Sequence, residues 1–547
     1  MAVTEKRPVI YTGGDILTME EEETAEALLE EGGVIRAVGT LVEALALAPD
    51  AAVVDLAGHT LLPAFVDPHS HITAYAKTLS LLSLEQAENF DDIARAVAQY
   101  REEHRIAPGE WIIAFGYDHN RLAERAHPTR RVLDIAAPGN PVLISHKSGH
   151  MGVMNTAALH AAGITAETPN PEGGSIGREP AGYGQPNSYG QPNGYLEETA
   201  FTVLAASRIP KPSEEQLCRQ LKTAQEAYLR HGITTVQDGL TKAEDWAVWK
   251  AAALREMLRL DVVCYVDEKE NAALLQDNPD WRIYRKRLRI GGYKIFLDGS
   301  PQGRTAWLSE PYAPSGASPG EEPGYRGYPI YTDRQVEAFL RQAAGEGQQL
   351  LAHCNGDAAA EQWITAAEAV LGPSGGAALR PVMIHAQTVR ADQLERMAKL
   401  SMIASLFVAH THYWGDVHRA NLGEERAARI SPARTAMDCG VTVTFHQDTP
   451  VLPPDMLDTV WCAVNRRTQS GVLLGEGERI TPLEALRAVT INAARQYFEE
   501  ERKGSLRPGK LADLVILDRN PLAVPPMELR NIRVLETIKE GESLYRA

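Results

Sequence analysis

The sequence predicts an α/β protein: a (β/α)8 TIM-like barrel, a composite β-sandwich drawn from both chain ends, and an inserted subdomain after the first barrel strand. Three observations predict it. Short apolar runs alternate with longer helical stretches through most of the chain, the pattern of a parallel sheet built from βα units. Polar residues able to bind a metal stand at the ends of several of these runs, where barrel enzymes carry their chemistry. Both termini read instead as short strands and turns. At 547 residues the chain is too long for one compact core.

Residues 1–62 and 500–547 supply the β unit. Val9-Ile10-Tyr11, Gly32-Gly33-Val34-Ile35-Arg36-Ala37-Val38-Gly39, Ala52-Val53-Val54-Asp55 and Thr60-Leu61-Leu62 are its N-terminal candidates. Leu514-Val515-Ile516-Leu517 and the run from Ile532 to Ile538 have the same character. The barrel takes residues 63–72 and 216–499, with candidate strands at 64–68, 233–237, 261–266, 292–297, 350–353, 382–385, 402–406 and 441–445. Residues 73–215 break the alternation and form the insertion, which could cover the site as a lid. Within it, Tyr183-Gly184-Gln185-Pro186-Asn187 is repeated as Tyr189-Gly190-Gln191-Pro192-Asn193, a duplication in a Gly/Pro/Asn-rich loop. A tolerated loop expansion explains it as well as a lid does.

Composition narrows the function. A hydrophobic share of 44% with 23% charged residues is that of an ordinary globular protein. Lys plus Arg number 55 against 72 Asp plus Glu, a formal charge of -17 that argues against a partner bound through nucleic-acid phosphates. Cys218, Cys264, Cys354, Cys439 and Cys462 are odd in number and lack CxxC spacing, so neither a disulfide framework nor a thiolate zinc site is expected. The N-terminal residues lack an apolar signal core, and no stretch is long enough to span a bilayer. The expectation is a cytoplasmic protein with no membrane contact, acting on a small molecule, with a homodimer as the default from symmetry statistics.

Phe65-Val66-Asp67-Pro68-His69-Ser70-His71 places two imidazoles at i and i+2 where a strand ends, so both share a face and can reach one ion. His353 and His385 end two further runs, and His446-Gln447-Asp448 follows another. Lys294 sits in the apolar run Gly292-Tyr293-Lys294-Ile295-Phe296-Leu297, where a free ammonium is costly to bury.

These segments resemble the metal-dependent amidohydrolase superfamily, most closely its branch of YtcJ-type and N-substituted formamide deformylase-like proteins. The resemblance spans nearly the whole chain. It rests on Leu62-Pro63-Ala64-Phe65-Val66-Asp67-Pro68-His69-Ser70-His71, on Lys294-Ile295-Phe296-Leu297-Asp298-Gly299-Ser300, on Ile384-His385-Ala386-Gln387, and on the run from Gly504 through Pro508-Gly509-Lys510 to Leu514. By that resemblance His69 and His71 bind the more buried of one or two divalent metals, zinc by family expectation. His353 and His385 bind the second, Asp448 contacts the first and handles protons, and Lys294 is N-carboxylated so that its carbamate bridges the ions. Bound metal lowers the pKa of water toward ~7 and polarises a carbonyl, which suits hydrolysis of a C–N amide-type bond in an N-acyl or N-formyl amine. Asp448 would take the water's proton and return it to the leaving amine.

Tyr117-Asp118-His119-Asn120-Arg121, Gly149-His150-Met151-Gly152-Val153-Met154-Asn155 and Gly173-Gly174-Ser175-Ile176-Gly177-Arg178 resemble signatures of the insertion in this branch. His150, Trp307, His412 and Trp414 are the candidate substrate-binding side chains. His410-Thr411-His412 is a second HxH at a barrel-strand end, read as pocket lining ahead of ligation because the other donor set is already complete. Many relatives carry a glutamate where this chain has Ile384, so that carboxylate's support to the metal site is absent here. Hydrolysis of an ester, lactone or cyclic amide stays open, since one metal centre serves any electrophilic carbonyl. So does a non-catalytic scaffold, against which the full donor set stands. Heterocycle deamination is disfavoured by Lys294.

Overall fold

The computed structural model describes residues 7–79, 81–179, 190–205, 207, 214–316 and 322–547. They divide into two compact units, Met1–Thr73 with Leu221–Ala547, and Ala74–Gln220. The first unit opens with β1 (Val9–Leu17), β2 (Thr24–Glu31), β3 (Val34–Gly39), β4 (Ala52–Asp55), β5 (Thr60–Pro63) and β6 (Phe65–Val66). The second holds β7 (Leu82–Ser83), β8 (Ile112–Tyr117), β9 (Val142–His146), β10 (Met151–Met154), β11 (Gly174–Arg178) and β12 (Pro192–Glu198). The first resumes with β13 (Ile233–Thr241), β14 (Asp261–Asp267), β15 (Leu288–Phe296), β16 (Gln349–Cys354), β17 (Val382–His385), β18 (Ile403–Leu406) and β19 (Thr442–Phe445). It closes with β20 (Leu514–Leu517), β21 (Val534–Lys539) and β22 (Glu542–Arg546).

The two chain ends pair. β20 runs antiparallel to β5, with Leu514 opposite Pro63 and Leu517 opposite Thr60. Hydrogen bonding then continues in the order β22-β21-β20-β5-β1-β2-β3, with β4 beside β1, so the two ends form one continuous eight-stranded sheet. Its core brings Ile16, Leu28, Ile35 and Leu61 together with Leu514, Ile516 and Ile538. β2 was invisible to propensity, because Thr-Ala-Glu-Ala-Leu-Leu-Glu-Glu consists largely of good helix formers. It is a strand because both its edges are occupied, by β1 and by β3.

Eight parallel strands, ordered β6-β13-β14-β15-β16-β17-β18-β19, make the second sheet of this unit. Each overlaps one of the eight runs read from the sequence. β16, β17 and β18 are buried at every residue, as strands covered on both faces must be, and therefore read as continuous apolar runs. Helices connect them, among them Ala243–Leu254, Asp333–Gly345, Ala391–Lys399 and Ala433–Asp438. Among the described residues β6 and β19 are not paired as strands, yet the sheet curls enough for the His71 N–H to donate to Thr449 O at 2.8 Å. The architecture is a TIM-like half-barrel.

The second unit has its own sheet, ordered β11-β12-β10-β9-β8-β7. β7, β8 and β9 are parallel, and β9, β10, β12 and β11 are antiparallel in turn. Ile93 and Val97 of the helix Phe90–Glu103 and Leu133 of the helix Arg130–Ala136 share a core with Ile112, Val142 and Ile144. Most of the duplicated Tyr-Gly-Gln-Pro-Asn segment lies outside the described residues; the second copy enters them at Gly190, and its Pro192 begins β12. No described helix is long and apolar enough to cross a membrane, and all five cysteines are free.

Candidate metal centre

The C-terminal ends of the curled sheet carry a buried cluster of imidazoles around one carboxylate and one amine. His69 Nε2 lies 3.3 Å and His71 Nε2 3.5 Å from Asp448 Oδ1. The Lys294 amine, fully buried on β15, is 3.2 Å from His69 Nε2. His385 Nε2 faces His353 Nδ1 at 3.1 Å and stands 3.9 Å from Asp448 Oδ2. All six residues expected at a metal centre therefore converge.

Backbone geometry marks the same place. His385 (φ 74°) and Asp448 (φ 53°) both adopt the left-handed region, which costs a side-chain-bearing residue of order 1–3 kcal/mol and persists where surrounding structure imposes it. At Gly239 an added Cβ would stand 2.8 Å from His69 Cε1, so only glycine lets that imidazole sit where it does.

The ring of His69 is held by a chain of hydrogen bonds. Gln237 Nε2 donates to Pro68 O at 2.8 Å and to the Tyr497 hydroxyl at 3.2 Å, and Tyr497 in turn donates to Asp67 O at 2.7 Å. The glutamine amide is thereby oriented, and its Oε1 accepts from His69 Nδ1 at 2.6 Å. With the proton on Nδ1, the Nε2 lone pair points into the cluster.

Electrostatics suit a cation. Burial, then the Lys294 charge, pushes His69 down to about 3. Burial, then His353, holds His385 well below the usual histidine range. Both rings are thus neutral with lone pairs available. Burial pulls Asp448 up, but the imidazoles of His69 and His71 beside it outweigh that and hold the carboxyl well below its usual range. Burial drives Lys294 down to about 7 against the opposing pull of Asp448, so a large share of its amine is neutral near neutral pH. Asp67, buried beneath the pair, is pushed up to about 8 by desolvation.

Whether these residues fit a metal can be tested on the donor set itself. Asp448 Oδ1 is buried with no hydrogen-bond donor of its own, and His69, His71 and Asp448 bring their donor atoms within 4.8 Å of one another. An orphaned carboxylate oxygen facing two imidazole nitrogens lacks only a positive centre. Nitrogen and carboxylate donors of this kind suit zinc and neighbouring transition cations better than calcium or magnesium. The residues fit.

Sequence reasoning missed part of the support. His446 Nε2 is 3.2 Å from His385 Nδ1, and His446 Nδ1 is 2.9 Å from the Ser405 hydroxyl, so His385 meets an imidazole on each of its nitrogens. The available signal was position: His446 directly follows β19, at the same strand end as Asp448. Asp298 accepts the backbone N–H groups of Asn355 (2.9 Å), Gly356 (2.7 Å) and Trp307 (3.0 Å), tying the end of β15 to the end of β16 beside His353. Ile384 packs with Val66, Val382 and Ile403, so an apolar residue is at home at this position.

The substrate-side candidates are scattered. His410-Thr411-His412 lies on a helix, His410–Tyr413, rather than at a strand end, and helical residues two apart diverge. His410 Nδ1 pairs with His418 Nε2 at 2.9 Å inside the fold, while His412 Nδ1 pairs with Arg467 O at 2.8 Å and its ring stands edge-on to Trp461. Trp414 is buried against His410 and Phe407. Trp307 is partly buried, and His150, in the other unit, faces Glu198 Oε2 at 2.9 Å.

A half-barrel with neutral imidazoles, a carboxylate and a buried lysine at its strand ends defines a class of hydrolase scaffold. The chain belongs to the amidohydrolase family, whose model matches residues 52–545. It is 29% identical to N-substituted formamide deformylase of Arthrobacter pascens, across 99% of each chain. It is 28% identical to YtcJ of Bacillus subtilis (strain 168), across 98% of this chain and 99% of that one. Among solved structures, a metal-dependent hydrolase from Pyrococcus horikoshii OT3 superposes with a TM-score of 0.74 at 25% identity, covering 95% of this chain and 99% of its own.

Proposed function

We propose that the protein is a metal-dependent hydrolase of C–N amide-type bonds in small N-acyl or N-formyl amines. The observation that carries the reading is the convergence of His69, His71 and Asp448 with His353, His385 and Lys294 at the rim of the half-barrel. The similarity to a formamide deformylase over the whole chain supports the choice of bond. His69, His71 and Asp448 would hold one divalent ion, zinc first among candidates, and His353 and His385 a second. The neutral share of the Lys294 amine is what carbamate formation with carbon dioxide requires, and the carbamate would bring two oxygens between the two groups of histidines.

When bound, a divalent ion supplies an acidified water and a Lewis acid for the carbonyl. Asp448 would accept a proton at Oδ2 and pass it to the departing nitrogen, because an amine leaves only when protonated. Gln237 keeps His69 in the tautomer that presents Nε2, and His446 does the same for His385 by facing its Nδ1. The partly buried Trp307, anchored through its backbone to Asp298, is the best placed of the aromatic candidates to line the substrate space.

The test is turnover of a panel of N-formyl and N-acyl amines, with matched esters and lactones, by wild type and Asp448→Asn. Amide turnover that falls by at least about 100-fold in the variant supports the reading. Ester or lactone turnover with no amide cleavage overturns it.

A further inference from the structure

The second unit holds a donor cluster that the rim chemistry does not use. β8 and β9 are parallel neighbours, with Tyr117 in register with His146, so the two strands end side by side. Asp118 and His119 follow the end of β8, and His146 ends β9. His119 Nδ1 stands 3.1 Å from His146 Nε2, His146 Nε2 3.5 Å from Asp118 Oδ1, and His119 Nδ1 4.0 Å from Asp118 Oδ1. Three donors of metal-binding type thus face one point, with Asp118 and His146 buried and His119 part-exposed. The backbone fixes them: the Asn120 N–H donates to Asp118 Oδ1 at 2.9 Å, and Ser148 meets His146 Nδ1 with both its N–H (3.0 Å) and its hydroxyl (2.9 Å).

The surroundings preorganise the open side. His127 stacks on His119 with ring centres 4.0 Å apart, Tyr195 covers His127 at 4.5 Å, and the Tyr117 hydroxyl lies 3.0 Å from His127 Nδ1. Burial, then His146, pushes His119 down to about 3, so its ring is neutral. Burial raises Asp118, but its contact with His146 outweighs that and leaves it an anion.

We propose that Asp118 Oδ1, His119 Nδ1 and His146 Nε2 form a further divalent-cation site, sharing no donor with the barrel rim and selective for transition cations of the zinc, cobalt and nickel class. Two imidazoles and one carboxylate match the ligands that zinc accepts, and three protein donors leave a fourth position for water or a ligand. Without a cation, the Ser148 N–H at Nδ1 keeps the ring proton of His146 on Nε2, between His119 and Asp118. Moving that proton to Nδ1, where the Ser148 hydroxyl accepts it while the Ser148 N–H gives up its bond to Nδ1, exposes the Nε2 lone pair. A cation then replaces a bridging proton, with no change in ring charge.

The experiment uses full-length protein stripped of metal, reconstituted with cobalt(II), desalted, and assayed for cobalt by plasma mass spectrometry and for its ligand-field absorption. The chains compared are wild type, His119→Gln/His146→Gln, and the rim variant His69→Gln/His71→Gln. The first double variant is expected to hold about one equivalent fewer than wild type and to lose one set of ligand-field bands. The rim variant is expected to keep that equivalent and those bands, so failure of the rim reading and failure of this one are separable. Where the double variant does not fold by circular dichroism, Asp118→Asn removes the charge at almost constant volume and is expected to weaken the same equivalent at least about tenfold. Equal cobalt content and identical spectra in wild type and the insertion variants overturn the proposal and leave a proton-bridged triad.

Discussion

Replacing Gln237 with leucine tests whether the chain behind His69 sets metal affinity. In the wild type, Gln237 cannot turn its amide round, because Nε2 is committed to Pro68 O and the Tyr497 hydroxyl. Oε1 therefore fixes the His69 proton on Nδ1 at 2.6 Å and leaves Nε2 as a donor to metal. Leucine keeps most of the volume and removes the acceptor, so a buried N–H goes unpaired and the alternative tautomer, with its proton facing Asp448 and Lys294, gains population. Loss of such outer partners costs about 10- to 100-fold in metal affinity, which is about 1.4 to 2.7 kcal/mol. The assay is competition against a chelating dye at fixed neutral pH. Unfolding midpoints of the metal-free proteins separate affinity from general destabilisation. If Gln237→Leu binds metal within twofold of wild type, the tautomer argument is wrong.

Lys294→Ala, in protein purified without chelator, is expected to lower metal content by about one equivalent, read by plasma mass spectrometry; unchanged content excludes a bridging role. Asp261→Asn is expected to destabilise the fold by roughly 3–5 kcal/mol, because it leaves Lys503 (2.5 Å) and Lys539 (2.8 Å) buried without that carboxylate; a thermal midpoint equal to wild type would refute this. Burial raises Asp261, but Lys503 and then Lys539 outweigh it and hold its carboxyl below the usual range, so its stabilising contribution is complete above about pH 4 and is lost as pH falls further. The acid-side fall in the thermal midpoint is therefore expected to be shallower in Asp261→Asn. Gly292→Ala places a Cβ 2.1 Å from Gln349 O at a φ of 151°, two residues before Lys294 on β15, so loss of metal together with a lower unfolding midpoint is expected, and wild-type values in both would refute it.

What the sequence made legible follows from what each residue is asked to do. Buried parallel strands need apolar side chains on both faces, so β16, β17 and β18 announce themselves, and His353 near the end of β16 and His385 at the end of β17 break these largely apolar runs. β2 stayed hidden because pairing on both edges overrode the helix propensity of its alanines, glutamates and leucines. His446 stayed unassigned because it acts through His385 rather than through a motif of its own. His410 and His412 misled because HxH implies a shared face only on a strand, and the chain has already turned into a helix there. Trp414, an aromatic that reads equally as pocket or core, is buried.

The shortest strand explains why the two chain ends matter to the rim. β6 is only two residues long, too short to hold the His69 and His71 loop by pairing alone. Its surroundings supply the rest. The Ala64 N–H donates to Asp513 O from the C-terminal segment, Phe65 to Gly232 O, Val66 to Val489 O and Asp67 to Thr235 O, all at 2.9 Å. Pro68 O then accepts from both Gln237 (2.8 Å) and Gln496 (2.7 Å). Asp513 also receives Lys539 at 3.0 Å, within the same buried ion network as Asp261 and Lys503. The sheet of the chain ends, the second barrel strand and the C-terminal helices thus converge on the five residues that precede His69. Rigid placement of a candidate metal ligand to a few tenths of an ångström requires that kind of over-determination, and here part of it comes from segments more than 400 residues away in sequence.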